Sequence, residues 1–198
     1  MKRTGLLLTL LLLAAVGLAS RVAVVAGEEM APSLMPGDLV FILPSQAMVP
    51  GDVVVLSDPL DPSRKIVRRV LAVAGQTITT AETHIKVDKR RLRAAAMGDM
   101  GPHMVTKETL WAKRPAVGAS WLTRIQADPP SQWSAGPIEI PDRHVFLMAD
   151  DRDHTLDSRW WGPLPVERIE GIVRARWGEA HTWRPQWEIL AGTAPLGA

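Results

Sequence analysis

Residues 27–42 read GEEMAPSLMPGDLVFI. A proline, a small hydroxyl residue and a leucine lead into Pro-Gly-Asp and a run of β-formers, the layout of a reactive loop feeding a strand. Where a hydrolase carries its nucleophile, just before Met30, stand two carboxylates, Glu28 and Glu29. Ser33 is the nearest hydroxyl, and Lys65 can serve it as base only if both share a face. Further on, Asp150, Asp151, Asp153 and Asp157 crowd one short stretch, with His144 and His154 flanking it. Four carboxylates invite a metal reading, but the histidines lack ligand spacing, so the expectation is no metal centre and no cofactor. Glu29 with Asp157 as a carboxylate acid–base pair has no supporting sequence signal. Cysteine is absent, which removes thiol catalysis, disulfides and Cys-based metal sites.

The elements that must position these residues are mainly strands. LVFIL (39–43) and DVVVL (52–56) are short, β-branched and bounded by Pro36-Gly37 and Pro50-Gly51. KIVRRVLAVAG (65–75) is a longer strand closed by Gly75, followed by a hairpin of TIT and HIKV turning at Asp88-Lys89. HVFLMA (144–149) runs into the charged loop 150–153, and GIVRARW (171–177) alternates as a final strand. In a strand, three residues reverse the face, so Lys65 points away from the side occupied by Arg68. Residues 94–136, with scattered Gly, Pro, Met and Trp, are expected to be a loop-rich insertion. The frequent prolines exclude a helical bundle, and the fold class is mostly β.

Composition narrows the partners. At 198 residues, 46% hydrophobic and 22% charged, the chain suits one globular domain with or without an anchor. A net charge of +2 excludes a nucleic-acid binder that lives on phosphate neutralisation. The basic stretch KVDKRRLR (86–93) reads as a solvated hairpin tip. The amino terminus, MKRTGLLLTLLLLAAVGLASR, has Lys2 and Arg3, then an apolar run to Ala19, then Arg21. It fits either a signal segment, with Gly17-Leu18-Ala19 as a small-residue cleavage site, or a membrane anchor that VAVVA (22–26) lengthens beyond a snorkelling Arg21. The expected division is an anchor over 1–21, a β domain over 22–190 and a frayed tail over 191–198. Membrane lipid is then a partner, and the positive-inside rule puts the β domain on the outer side. Of the eight tryptophans, Trp160, Trp161, Trp177, Trp183 and Trp187 crowd the C-terminal part, where an interfacial role competes with core packing.

Four stretches in order carry a family resemblance. EMAPSLMPGDLVFI (29–42) resembles the nucleophile box of type I signal peptidases, Ser-Met-x-Pro-Thr/Ser-Leu followed by Gly-Asp. VPGDVVVLSDP (49–59) is similar to their second conserved strand, and VRRVLAVAGQTI (67–78) to the box that holds the lysine base. ADDRDHTLDSRWWGPLP (149–165) resembles Gly-Asp-Asn-Arg-x-x-Ser-x-Asp-Ser-Arg-x-x-Gly most closely. The resemblance implies a signal-peptidase-like β-sheet domain behind one N-terminal transmembrane helix, on the periplasmic side of a bacterial inner membrane. The family's serine falls on Glu29 and its lysine on Arg68. The hydroxyl residue two before the serine falls on Gly27, and the serine that steadies the lysine on Thr155. Met30, Pro32, Ser33, Asp157, Ser158 and Arg159 keep the family's cleft-supporting residues, with Asp157 and Arg159 as a structural ion pair.

Those departures remove the family's chemistry. A Ser/Lys dyad needs a buried lysine that loses its proton near neutral pH and takes one from the hydroxyl. Arginine stays protonated and cannot be that base, and an ionised glutamate has no proton to surrender. Loss of one member of such a unit costs on the order of 10⁴–10⁶ in kcat. The expectation is therefore an inactive relative in which Glu29 and Arg68 form a salt bridge on the cleft floor. Its partners would be signal-peptide-like or exported protein segments, bound by strand addition, or an active signal peptidase. The competing expectation is an active endopeptidase with another nucleophile, Ser33 first.

Overall fold

The computed structural model describes residues 17, 21–44, 47–81, 84–111, 118–126, 135–153, 156–178 and 186–189. The expected anchor over 1–21 and tail over 191–198, and with them His154, Thr155 and Trp183, lie outside the described residues, save Gly17 and Arg21. No helix among the described residues is long and apolar enough to cross a membrane.

The chain is mostly β, as its alternating β-branched runs predict. Along it lie β1 (Val22–Val24), β2 (Leu39–Leu43), β3 (Val53–Ser57), β4 (Lys65–Val73), β5 (Thr77–Ala81), β6 (His84–Val87) and β7 (Arg90–Arg91). Then come β8 (Arg93–Met100), β9 (His103–Trp111), β10 (Gly118–Gln126), β11 (Ala135–Glu139) and β12 (His144–Met148). One short helix, α1 (Ser158–Trp161), precedes β13 (Leu164–Pro165), a 3₁₀ turn, β14 (Ile169–Gly178) and β15 (Gln186–Ile189). The main sheet runs β1-β2-β14-β3-β4-β12-β13, with β15 also on β14. Smaller sheets are β11-β5-β6-β7 and β10-β9-β8.

Two Pro-Gly-Asp turns launch the central strands by one device. Gly37 (φ 93°) and Gly51 (φ 99°) take the left-handed backbone that follows proline in such a turn. Asp38 and Asp52 then accept from the backbone N–H groups of Met35 and Val49, each at 2.9 Å. The same carboxylates receive Arg176 and Arg174 of β14, at 3.1 and 2.8 Å. Both turns are thereby tied to the longest strand of the sheet.

Side-chain alternation places the core on both faces. Val54, Leu56, Ile66, Val70, Val145, Leu147 and Ile172 form one buried cluster. Leu71, Phe146 and Met148 join Ile78, Leu110, Trp121 and Ile140 from the smaller sheets in a second. Met30 and Leu34 close a third over Val40, Val53, Val55 and Val173.

Several sequence expectations change. The insertion over 94–136 is not loop-rich: β8, β9 and β10 fill much of it as an antiparallel sheet with Trp121 buried in the core. Its scattered Gly and Pro obscure the period-two pattern, and β8 carries a bulge between Ala96 and Gly98. The turn at Asp88-Lys89, both at positive φ, joins β6 to β7, whereas the β5–β6 hairpin closes earlier, after Ala81. VAVVA does not lengthen an anchor helix, because Val22–Val24 pair with β2 as a strand. β14 is not the last strand, since β15 pairs back onto it.

Candidate active site

The segment 27–34 is a series of turns whose Met30 and Leu34 pack on β2, β3 and β14. The Leu34 N–H donates to Met30 O at 2.8 Å and the Ala31 N–H to Glu28 O at 2.9 Å, with a cis Ala31–Pro32 peptide between. Met30, Ala31 and Leu34 are the buried underside. The backbone carbonyl of Glu29 receives the N–H of Asp151 at 3.0 Å, so the loops 27–31 and 149–153 are stitched together.

Neighbours on β4, Arg68 and Arg69 go to opposite faces. Arg69 is fully engaged: Nε and Nη2 reach Asp150 at 2.8 and 2.5 Å, Nη1 reaches Gly51 O at 2.8 Å, and Nη2 also meets Ser33 Oγ at 3.2 Å. Its guanidinium lies 5.1 Å from the Trp121 ring centroid. Asp150 has no solvent exposure, so this is a buried, forked ion pair.

Arg68 is 2% exposed and makes no salt bridge among the described residues. Nε and Nη2 both donate to Leu156 O, at 3.2 and 3.0 Å, and Nη1 donates to Val67 O at 2.6 Å. Burial pulls its pKa below the ordinary arginine value, opposed by the charges of Asp157, Glu29 and Asp58. It remains a cation and a donor, unable to accept a proton.

The expected Glu29–Arg68 salt bridge is absent. Arg68 is turned onto backbone carbonyls, and Glu29 instead faces Arg64 at 3.8 Å, a residue 58% exposed that also meets Asp58 at 3.3 Å. Solvent leaves such a pair little energy. The Glu29 carboxylate folds back over Gly27: a Cβ on Gly27 would lie 2.0 Å from Glu29 Oε2 and 2.7 Å from Cδ. Glycine at 27 and glutamate at 29 are thus one steric unit, and the volume of a residue-27 side chain is filled by carboxylate.

The remaining predicted residues tie neighbouring elements together. Asp157, without exposure, caps α1 by accepting from Arg159 N at 3.0 Å and accepts from Ala149 N at 3.1 Å. Arg159 grips both its oxygens at 2.8 Å and donates through Nη1 to Arg152 O at 2.8 Å. Ser158 Oγ accepts from Leu147 N at 2.9 Å. Ser33 Oγ donates to Leu122 O at 2.9 Å and accepts from Arg69, so it is a packing hydroxyl bracketed by β4 and β10. Lys65 lies away from it. Lys65 Nζ donates to Ser57 Oγ at 2.9 Å and pairs closely with Glu170. This serine–lysine contact is exposed, and in it the lysine is the donor and the serine oxygen the acceptor.

Sequence reasoning missed Arg124, an arginine of the supposed loop region. Its Nη2 bridges Glu28 Oε2 at 2.8 Å and Asp151 Oδ2 at 2.7 Å, and Nε adds a 3.1 Å contact. Burial opposes its charge, but the Glu28 and Asp151 hydrogen bonds outweigh that and raise its pKa. Glu28 is correspondingly held below the usual carboxylate range by the Arg124 hydrogen bond. Beside this network His103 meets Asp151 and Asp153, a grouping that the histidine spacing did not reveal.

Comparison with known proteins places the chain. Signal peptidase I of Pseudomonas fluorescens is 28% identical over 142 residues, covering 64% of this chain and 48% of its own. Probable signal peptidase I-1 of Synechocystis is 26% identical over 170 residues, covering 80% and 71%. A crystal structure of a signal peptidase I from Enterococcus faecalis V583 aligns with a TM-score of 0.41 at 12% identity, covering 64% of this chain and 96% of that one. The chain spans about half the length of the Pseudomonas relative. A family model described as signal peptidase, peptidase S26, matches residues 1–178, and the chain belongs to that family.

Proposed function

We propose that this protein is a membrane-anchored, signal-peptidase-like factor that binds peptide segments without cleaving them. It would serve protein export or surface-structure biogenesis at the periplasmic face of a bacterial inner membrane. The observation that carries the reading is the fate of the three positions where the family's chemistry falls. Glu29 folds its carboxylate over Gly27, and Arg68 spends its donors on the carbonyls of Leu156 and Val67. A nucleophile, a proton acceptor and a hydroxyl at position 27 are all replaced, while the supporting pairs Arg69–Asp150 and Arg159–Asp157 remain. A frame kept without its reactive groups suits recognition, which needs backbone donors and acceptors rather than a nucleophile.

The test uses the full chain in detergent with a fluorogenic signal-peptide substrate, beside Gly27→Ser/Glu29→Ser/Arg68→Lys. The wild-type protein is expected to be silent, yet to bind a labelled uncleavable peptide in fluorescence anisotropy. The triple variant is expected to gain measurable cleavage. Turnover by the wild-type protein would overturn the proposal, and Ser33→Ala and Ser57→Ala would then locate the nucleophile. Absence of both cleavage and binding would overturn peptide recognition.

A further inference from the structure

We propose that His103, Asp151 and Asp153 form a binding site for one divalent transition cation of zinc type, beside the cleft and separate from its altered chemistry. One ligand atom from each residue lies within 4.8 Å of the other two. The residues come from two elements far apart in sequence: His103 opens β9 after a turn at 101–102, and the two aspartates flank Arg152 in the loop after β12. A tetrahedral zinc with bonds of about 2.0–2.2 Å sets its donors roughly 3.3–3.6 Å apart. The present spacing reaches beyond that, so a bound cation would draw the three side chains together.

The imidazole separates this group from a patch of surface acids. Among the described residues the His103 ring makes no hydrogen bond, so its nitrogens are open to a ligand role. The carboxylates are oriented from outside the triad. Asp151 Oδ2 takes Nε and Nη2 of Arg124, and Asp153 Oδ2 closely accepts the backbone N–H of Gln126. Donors of that kind fix ligand carboxylates in metal sites. Arg124 bridges Asp151 to Glu28, while the imidazole reaches the aspartates from the β8–β9 turn. Mixed nitrogen and oxygen donors favour zinc, cobalt or manganese over magnesium, which prefers oxygen alone. A cation here ties the β8–β9–β10 sheet to the loop whose Asp151 N–H holds the Glu29 carbonyl.

The test takes the full chain in detergent, stripped with chelator, and titrates zinc by calorimetry and cobalt by visible absorption. One equivalent is expected to bind, with absorption of tetrahedral or five-coordinate cobalt. At a hundredfold excess over Kd, zinc is expected to raise Tm by roughly 5–10 °C. His103→Gln and Asp153→Asn are each expected to weaken binding at least roughly tenfold, whereas His144→Gln leaves it unchanged. Should one variant fail to fold, the other gives the same reading. No binding of zinc or cobalt, binding unaffected by the variants, or magnesium binding as tightly as zinc would each overturn the site.

Discussion

Glutamate and arginine at positions 29 and 68 are each tied to something other than the other. For Glu29 that partner is an absence, the missing side chain of Gly27. A serine at 27 meets the carboxylate at its flexible end, so Gly27→Ser is expected to swing Glu29 outward at a cost of under about 1 kcal/mol. The cost should vanish when Glu29→Ser is also present, a coupling of roughly 0.5–1 kcal/mol in a double-mutant cycle of urea melts. Additive single effects would show the two residues to be independent. Arg69 is the opposite case. Arg69→Met strands Asp150, which has no exposure, and is expected to cost about 3–5 kcal/mol. The exposed Lys65→Met, which loses only a surface pair with Glu170, should change stability by under about 1 kcal/mol. Similar losses from both would mean that Asp150 finds another partner.

At the scale of elements, β10 turns an insertion into part of the site. Its Arg124 N–H and C=O pair with Asp150 O and Arg152 N, each at 3.0 Å, while its side chain gathers Glu28 and Asp151. Because Glu28 is held below its ordinary pKa by the Arg124 hydrogen bond, its contribution is present above the unfolded carboxylate range and fades as pH falls through the folded value. Wild-type protein should therefore melt above Glu28→Gln at pH 7, and the two should converge as pH falls below the folded carboxylate's own titration; a gap that persists in strong acid would disprove the linkage. Glu28 is exposed, so the gap is small.

The sheet of β10 shows where sequence reading stops. β2 and β3 were legible because each is a short β-branched run behind a Pro-Gly turn, and β4 because its β-branched run closes at Gly75; the family boxes fell on all three. β8 was not, since RAAAMGDM lacks β-branched residues and carries a bulge. Nor could spacing reveal that Arg68 would meet backbone carbonyls and no carboxylate. Strand alternation gives the face of a side chain, but the choice between a carboxylate and the Leu156 carbonyl depends on how the 156–161 segment packs.

For the whole molecule, the sheet begins where the expected anchor ends. The Ile42 N–H donates to Arg21 O at 2.7 Å, and Val22 pairs across from Phe41. Val22, Leu39, Val40, Phe41 and Trp177 line an apolar groove at this edge. If the N-terminal segment is retained as an anchor, the full chain should stay with membranes after an alkaline carbonate wash. Release into the wash would reject the anchor and with it the proposed location. Because β1 belongs to the sheet, a truncation starting at residue 25 is expected to be less stable than one starting at 21, read by thermal melts; equal stability would make β1 dispensable.

The contact between Gly27 and Glu29 also bears on the order of events in descent. A glutamate at 29 takes this rotamer only with glycine at 27; with a side chain there it must swing outward at a small cost, so glycine first is the easier order. Lineages that branched between those steps should carry glycine at 27 with serine still at 29, whereas the reverse combination should be rare.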